Sequence, residues 1–260
     1  MKKLATVLAA LLFGTLACQA SFISLNTTLT SKLERGKLRV MVQVVNKGDE
    51  SAFGVQAELR VGGRTILAEK KQELPVNAAY QVKALVPLDL QTPGSYPLIL
   101  VMHYTDANQY PFSALTGQAF VYQREGVPPL FGQVKPATFA KEGRIDLLLK
   151  NSGDREIKAT TRLVIPRELT VAGDAQPLTV PARGQKSASF SLSNFSALSG
   201  STYQVFAVAE FEDNGLHYTC LAPGTVKINE SNVLVNYQAY FIALIVILAL
   251  GFVALQFVRE

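Results

Sequence analysis

Residue types that carry most enzyme chemistry are scarce in this sequence. Its 260 residues include no tryptophan, two cysteines and two histidines, His103 and His217. No Gly-x-Ser-x-Gly, Walker or His-Glu-x-x-His motif occurs, so no nucleophile elbow, phosphate loop or zinc-binding helix is indicated. The lack of tryptophan also disfavours the sugar-binding platforms of small glycosidases. The sequence therefore predicts a non-enzymatic protein with no catalytic residues, no cofactor-binding residues and no metal ligands.

One group of residues around the second histidine resembles a metal site in composition only. His217 and Cys220 are three positions apart, and Glu210, Glu212 and Asp213 precede them. Residues three apart on a strand point to opposite faces, which separates the two best ligands. We therefore expect a histidine at a strand end and a half-buried free thiol.

Acidic and aromatic residues near two hairpins suggest further alternatives. Asp106 and Asp213 occupy matching hairpins, but few oxygen ligands surround them, and Asx-turn hydrogen bonds explain both residues better than calcium does. Tyr104, Tyr110 and Phe112 are able to stack on a sugar, yet such residues are also typical of sandwich core and rim. We expect turn and packing roles, with a glycan kept as an alternative partner.

The charges are evenly mixed along the chain. There are 25 basic and 20 acidic residues, a net charge of +5. Removal of Lys2 and Lys3 with a signal peptide would leave 23 basic and 20 acidic residues, a net charge of +3. Because these charges are interspersed rather than gathered into one basic stripe, nucleic-acid binding is disfavoured.

The N-terminal segment has the layout of a secretory signal. Residues 1–20 begin with two lysines, continue through an apolar stretch and finish with small residues before Ala20. Acylation of Cys18 in a lipoprotein signal is an alternative. If residues 1–20 are removed, Cys220 is the only cysteine, and no intrachain disulfide can form.

The C-terminal segment is long and apolar. Residues 239–258 contain one strongly polar side chain, that of Gln256. At about 1.5 Å per residue, such a helix spans about 30 Å, the thickness of a bilayer's hydrocarbon core. Together with the signal, it predicts a single-pass protein of the cell membrane, with residues 21 to 236 outside the cytoplasm. An endoplasmic-reticulum membrane protein with lumenal domains is the alternative.

The region between the two ends contains an internal duplication. Asn-x-Gly-Asp occurs at Asn46 and again at Asn151, 105 positions later (151 minus 46), and residues 96–110 resemble residues 203–218. A period this long indicates duplicated domains rather than a solenoid. We predict one domain over 21–125, a stiff Pro-containing linker over 126–132 and a second domain over 133–230.

Within each copy the hydrophobic period is two, as in residues 38–44 (LRVMVQV). Short strands bounded by Gly, Pro, Asn and Asp favour an antiparallel β-sandwich. The predicted fold class is all-β, with two tandem immunoglobulin-like β-sandwiches followed by a C-terminal transmembrane helix. Asn and Gly are expected in the repeated turns because they tolerate positive φ.

The order of strands and turns in both copies resembles the immunoglobulin-like modules of the CARDB kind, found in prokaryotic surface proteins. That resemblance implies an adhesion, spacing or docking module with no active site. A second resemblance, through Asn46-Lys47-Gly48, the strand end at residues 103–106 and the exit at residues 124–126, is to the alpha subunit of the translocon-associated protein complex. This chain departs from that subunit by having two sandwiches and no basic tail.

These observations predict a membrane-anchored protein that binds or positions a partner through its tandem domains. The expected partner is a membrane protein or a cell-surface component. Membership of a translocon-associated assembly and carbohydrate binding are the alternatives.

Overall fold

The computed structural model describes residues 22–229, 237 and 239–248. Almost all of these residues belong to strands or their connections, and residues 239–248 form a helix, α1. The chain divides into two compact units between Gly126 and Val127. The predicted signal peptide, residues 1–20, lies outside the described residues.

The first unit is a sandwich of two antiparallel sheets. One sheet has the order β1-β2-β6. In the other sheet, β7 lies between β8 and β3, and the far side of β3 pairs with both β4 and β5. The strands are β1 (Leu25–Glu34), β2 (Lys37–Asn46), β3 (Ala52–Val61), β4 (Arg64–Leu67), β5 (Lys71–Leu74), β6 (Ala79–Pro87), β7 (Gly94–Thr105) and β8 (Pro111–Tyr122).

The second unit repeats this plan with added edge strands. One sheet has the order β13-β15-β11-β9, and the other has β14-β12-β16-β17, with β10 parallel to the end of β17. The strands are β9 (Leu130–Val134), β10 (Ala137–Phe139), β11 (Glu142–Asn151), β12 (Ile157–Val164), β13 (Leu169–Val171), β14 (Gln176–Val180), β15 (Gln185–Asn194), β16 (Thr202–Asp213) and β17 (Leu216–Ile228).

Alternating burial confirms the predicted sandwich. In β2, Leu38, Val40, Val42 and Val44 are buried, while the residues between them are mostly exposed. Side chains of a strand point alternately to its two faces, so one face meets the facing sheet and the other does not. Each such buried aliphatic side chain contributes about 1.5–3 kcal/mol relative to an exposed one. Strand β9 begins at Leu130, inside the range predicted as linker.

The repeated Asn-x-Gly-Asp turns have a different cause from the one predicted. Neither the asparagines nor the glycines of these turns have positive φ. Asn46 and Asn151 are instead buried, at 0% and 1% exposure. The Asn46 amide donates to the carbonyl oxygens of Glu50 (2.7 Å) and Leu74 (3.1 Å), and its Oδ1 accepts from the Gly48 N–H (3.0 Å). Asparagine is required here for its side-chain hydrogen bonds.

The glycines in these turns are explained by close packing. A Cβ on Gly48 would lie 2.8 Å from the backbone N of Ser24 and 2.9 Å from Cα of Ile23, and it would overlap the carbonyl oxygen of Phe22. A Cβ on Gly153 would lie 3.2 Å from Oδ1 of Asn151 and 3.3 Å from Cβ of Pro129. The first turn therefore excludes a side chain more strictly than the second.

Two-residue hairpins do use positive φ. Asn214 and Gly215, with φ of 50° and 70°, join β16 to β17, which confirms the predicted Asn-Gly hairpin. Arg35 and Gly36, with φ of 50° and 75°, join β1 to β2 in the same way. Positive φ at both central residues is the signature of a type I′ turn, whose twist matches that of the strands.

The C-terminal helix is described for only half of its predicted length. Every residue of α1 is exposed, including Ile245 at 65% and Leu248 at 64%. Among the described residues, no helix combines the length and the hydropathy that a membrane crossing requires. Residues 249–258 of the predicted span lie outside the described residues.

Candidate functional site

The two sandwiches differ most at their sheet edges. In the second unit, β10 pairs with β17 and β13 pairs with β15, so each sheet has an added strand at an edge. In the first unit, among the described strands, β6 is hydrogen-bonded only to β2 and β8 only to β7. An unpaired edge presents free N–H and C=O groups, on which another extended chain can add as a strand.

One open side of the first unit forms a groove of about 580 Å³ between the edges of its two sheets. We call it the lysine groove. Its floor includes Leu59 of β3, and its walls come from β4 with the segment leading into β5 on one side and from β6 on the other. The wall residues are Ile66, Leu67, Ala68, Glu69, Lys70, Lys71, Tyr80, Gln81, Val82, Lys83 and Ala84.

The lysine groove is lined by apolar side chains and by an excess of lysines. Leu67 is exposed at 59%. Lys70, Lys71 and Lys83 face one acidic residue, Glu69, so the lining carries an excess of positive charge. Lys71 donates to the carbonyl oxygen of Ala79 (3.0 Å), whereas Lys70 and Lys83 form no ion pair within the described part of the chain.

Tyr80 forms a hydrogen bond between the two walls of the lysine groove. Its hydroxyl donates to the carbonyl oxygen of Glu69 at 2.6 Å, and its ring is buried in the core. Burial raises the pKa of Tyr80 above its ordinary value, and the nearby Glu69 charge acts in the same direction. The phenol therefore stays neutral as a donor, and its hydrogen bond links β6 to the opposite wall.

The corresponding place in the second unit is crossed by a side-chain hydrogen bond. Lys83 lies opposite Met41 in the β2–β6 ladder, and Ser189 lies opposite Asp146 in the β11–β15 ladder. Met41 and Asp146 each precede the repeated asparagine by five residues, so Lys83 and Ser189 are equivalent. The Gln176 side chain donates to the carbonyl oxygen of Ser189 (3.1 Å), bridging the two sheets. In the first unit, no hydrogen bond described for Lys83 crosses the corresponding place.

The predicted separation of His217 and Cys220 is present in the structure. Cys220 packs against the core of the second unit, whereas Nε2 of His217 lies 3.7 Å from Oε1 of Glu210 on the opposite face of the sheet. Burial raises the pKa of the Cys220 thiol, so its reactive thiolate is disfavoured. Within the described residues, no group of three or more metal-ligating side chains is found.

Each unit holds its histidine in a cluster with glutamate and arginine, which the sequence analysis missed. In the first unit, Glu58 lies 2.7 Å from Nε2 of His103 and accepts from Nε of Arg60 at 2.6 Å. Burial disfavours the charged carboxylate, but the hydrogen bonds and charges of these two partners outweigh it and lower the pKa of Glu58. In the second unit, Arg162 pairs with Glu210. The charged residues at alternate positions in Glu58-Leu59-Arg60 are the sequence pattern from which the cluster of the first unit could have been predicted.

Asp106 and the aromatic residues take the expected turn and packing roles, whereas Asp213 bonds to a neighbouring side chain instead of the backbone of its turn. Oδ1 of Asp106 accepts from the backbone N–H of Tyr110 at 2.8 Å, and Asp213 accepts from the Asn214 side chain at 2.9 Å. The aromatic residues contact one another: ring centroids are 5.5 Å apart for Tyr104 and Phe112 and 5.2 Å apart for Tyr110 and Phe112. These contacts are those of a packed hairpin.

Comparison with solved structures finds distant similarities. Red sea bream transglutaminase is 15% identical, with 80% of this chain and 31% of that chain covered and a TM-score of 0.28. The native conformation of E. coli alpha-2-macroglobulin is 9% identical, with 79% and 17% covered and a TM-score of 0.32. This chain thus spans less than a third of either protein. No protein-family model and no curated protein matches the sequence. The β-sandwich fold of each unit is shown by its own strands and their pairing.

Proposed function

We propose that this protein is a non-enzymatic, membrane-anchored binding protein whose first sandwich holds an extended segment of a partner in the lysine groove. The observation that carries the proposal is the pair of open sheet edges, β4 and β6, beside a groove whose lining includes three lysines and one glutamate. The partner would be a membrane or cell-surface protein outside the cytoplasm, in keeping with modules of the CARDB kind.

The groove favours an acidic, extended segment for two physical reasons. The free edge of β6 offers backbone hydrogen bonds to any chain in a β conformation, which gives affinity without sequence preference. Lys70 and Lys83 then select for carboxylates, because complementary charge speeds encounter and disfavours basic partners. Apolar side chains alternating with those carboxylates would meet Leu67 and Val82 on the groove wall.

Membrane anchoring is supported by the C-terminal sequence. Residues 239–258 are apolar except for Gln256, and the described half is helical with apolar side chains exposed throughout. Exposed leucine, isoleucine and phenylalanine on one helix are stabilised by lipid or by another apolar helix. The second sandwich, which has an added strand on each sheet, would act as the spacer between this helix and the binding unit.

Binding of a designed peptide to the full chain in mild detergent tests the groove. The probe is a labelled eight-residue peptide of alternating glutamate and valine, and the variants are Lys70→Glu with Lys83→Glu. We expect the double charge reversal to weaken binding at least about tenfold, because two ion pairs become repulsive. Lys186→Glu, an exposed lysine on β15 of the second unit, is the matched control and should bind like the wild type. Equal binding by the double variant and the control would contradict the proposal.

A further inference from the structure

In the second unit, the short strand β10 pairs with the outer edge of β17, the last strand of its sheet. Strand β10 runs parallel to β17, with Ala137 opposite Val226 and Phe139 opposite Ile228. Ala137 and Phe139 are buried in the core of the unit, at 7% and 5% exposure. The backbone N–H of Asn229 donates to the carbonyl oxygen of Phe139 at 2.9 Å, which completes the pairing.

After β9, the chain leaves the sheet that contains β11 at a proline and then runs beside β17 as β10. Lys135 makes the last bond to that sheet, donating its N–H to the carbonyl oxygen of Asp146 at 3.0 Å, and Pro136 follows. Counting from the repeated asparagines, the residue of the first unit equivalent to Pro136 is Ser31 (136 minus 105). Here the chain does not cross over, because β1 continues along β2 as far as Glu34 and closes in the hairpin at Arg35 and Gly36.

The edge of β8 therefore lacks a neighbouring strand in the described part of the chain, whereas its counterpart β17 is paired with β10. Tyr96 pairs with Phe120, and the equivalent Tyr203 pairs with Val226, so Phe120 to Tyr122 correspond to the part of β17 that β10 covers. A groove of about 430 Å³ lies beside these residues, and we call it the β8 groove. It is lined by Leu29, Thr30, Ser31, Leu33, Leu38, Gln118, Ala119, Phe120 and Val121. The Gln118 side chain bridges it by donating to Oγ of Ser31 at 2.8 Å.

Backbone groups of β8 are directed towards this open edge. Pro97 of β7 lies directly opposite Ala119 and has no N–H to donate. A proline fits opposite a partner whose backbone groups point away from it, which is the arrangement of a non-hydrogen-bonded pair. The N–H groups of Ala119 and, two residues later, Val121 therefore face the open edge. In the second unit, alternate residues of β17 likewise direct their N–H groups to the outer edge, since the N–H of Asn229 bonds to β10.

The groove also limits the side chains that a bound strand can carry. In the second unit Phe139 packs directly on Gly143, where even a Cβ would overlap the ring. The residue equivalent to Gly143 in the first unit is Leu38 (143 minus 105), which is buried and lines the β8 groove. Leu38 takes up space that a phenylalanine ring would need, so a bound strand has to carry a smaller apolar side chain at this position.

We propose that the edge of β8 binds an extended strand of a partner protein, parallel to β8 beside Phe120 to Tyr122, with small apolar side chains such as alanine and valine facing the groove. This site lies at a different sheet edge from the lysine groove and does not depend on it. The proposal takes its strand direction and its register from β10 and its size limit from Leu38.

The probe that tests the proposal is the chain's own β10 segment, adapted to the smaller groove. It is a labelled peptide with the sequence of residues 135–141 in which valine replaces the phenylalanine (KPATVAK). Val121→Pro removes one N–H from the open edge, and Val121→Thr keeps it. With the full chain in mild detergent, we expect Val121→Thr to bind like the wild type, and Val121→Pro to bind at least about tenfold more weakly. The unmodified sequence (KPATFAK) should bind more weakly than the valine peptide.

Hydrogen exchange on the wild type keeps the test independent of how well Val121→Pro folds. Addition of the valine peptide should slow exchange of the amide of Val121 and leave those of Lys83 and Ala84 unchanged. Failure of the peptide to protect the Val121 amide would overturn the proposal. Equal affinity of the proline and threonine variants, with unchanged melting temperatures, would overturn it as well.

Discussion

The side-chain amide of Asn46 donates a hydrogen bond to the carbonyl oxygen of Leu74, 28 positions further along the chain and 3.1 Å away. The same side chain bonds to the carbonyl oxygen of Glu50 and to the N–H of Gly48. In the second unit, the Asn151 side chain donates to the carbonyl oxygens of Arg155 and Pro181 and accepts from the N–H of Gly153. Each asparagine thus joins the end of one strand to a turn and to a distant strand or the residue following it.

Replacing either asparagine should destabilise its own unit. Asn46→Ala or Asn151→Ala leaves buried carbonyl and N–H groups without partners, which we expect to cost about 1–3 kcal/mol in free energy of unfolding. Denaturant unfolding of the full chain measures the change, and Asn26→Ala, at an exposed position of β1, should stay within about 0.5 kcal/mol of the wild type. Wild-type stability of Asn46→Ala would show that these bonds are dispensable.

The two turn glycines should differ in their tolerance of alanine. Gly48→Ala forces a Cβ into the backbone of Phe22 to Ser24, so we expect a loss of about 1–3 kcal/mol. Gly153→Ala meets only contacts of 3.2 and 3.3 Å and should cost less. Paired unfolding curves check the order, and a larger loss for Gly153→Ala would refute the steric explanation.

The thiol of Cys220 should react slowly in the folded protein. Burial raises its pKa, and Gly132 leaves room for Sγ, which would lie 2.8 Å from a Cβ at that position. Alkylation with iodoacetamide at pH 7.5, followed by mass spectrometry of the peptide containing Cys220, should be slow until denaturant is added. We expect Gly132→Ala to displace the thiol and speed the reaction. Fast alkylation of the native wild type would show that Cys220 is accessible.

Protonation of Glu58 should weaken the first unit at acidic pH. Its pKa is lower in the folded state than its ordinary value of 4.5, so the ionised form stabilises folding and that contribution is lost as the pH falls through the folded-state pKa. Glu58→Gln should therefore melt below the wild type at pH 7, and the difference should shrink below pH 4.5. Glu73→Gln, an exposed change on β5, is the control. A pH-independent difference would assign the effect to shape rather than charge.

Sequence patterns predicted the long strands well and the edges poorly. The alternation in residues 38–44 and the Asn-Gly hairpin at 214–215 are local signals, and both elements are present. Strand β10, only three residues long, is defined by its pairing with β17, about 90 positions away, which no local pattern encodes. The lysine groove likewise depends on which edges lack a neighbour. The asparagine repeat was found correctly, but its role depended on burial, which spacing alone does not reveal.

The parallel pairing of β10 with β17 has a mechanical consequence. These strands lie near the start and the end of the second unit, so a pull on its two ends loads their hydrogen bonds together in shear. In the first unit no described ladder joins β1 to β8, and nothing comparable shares the load. In single-molecule stretching, the second unit should unfold at the higher force, and Thr138→Pro should reduce that force. If the protein links a partner to a membrane as proposed, the chain under tension would then unfold first at the first sandwich, which holds the proposed binding grooves.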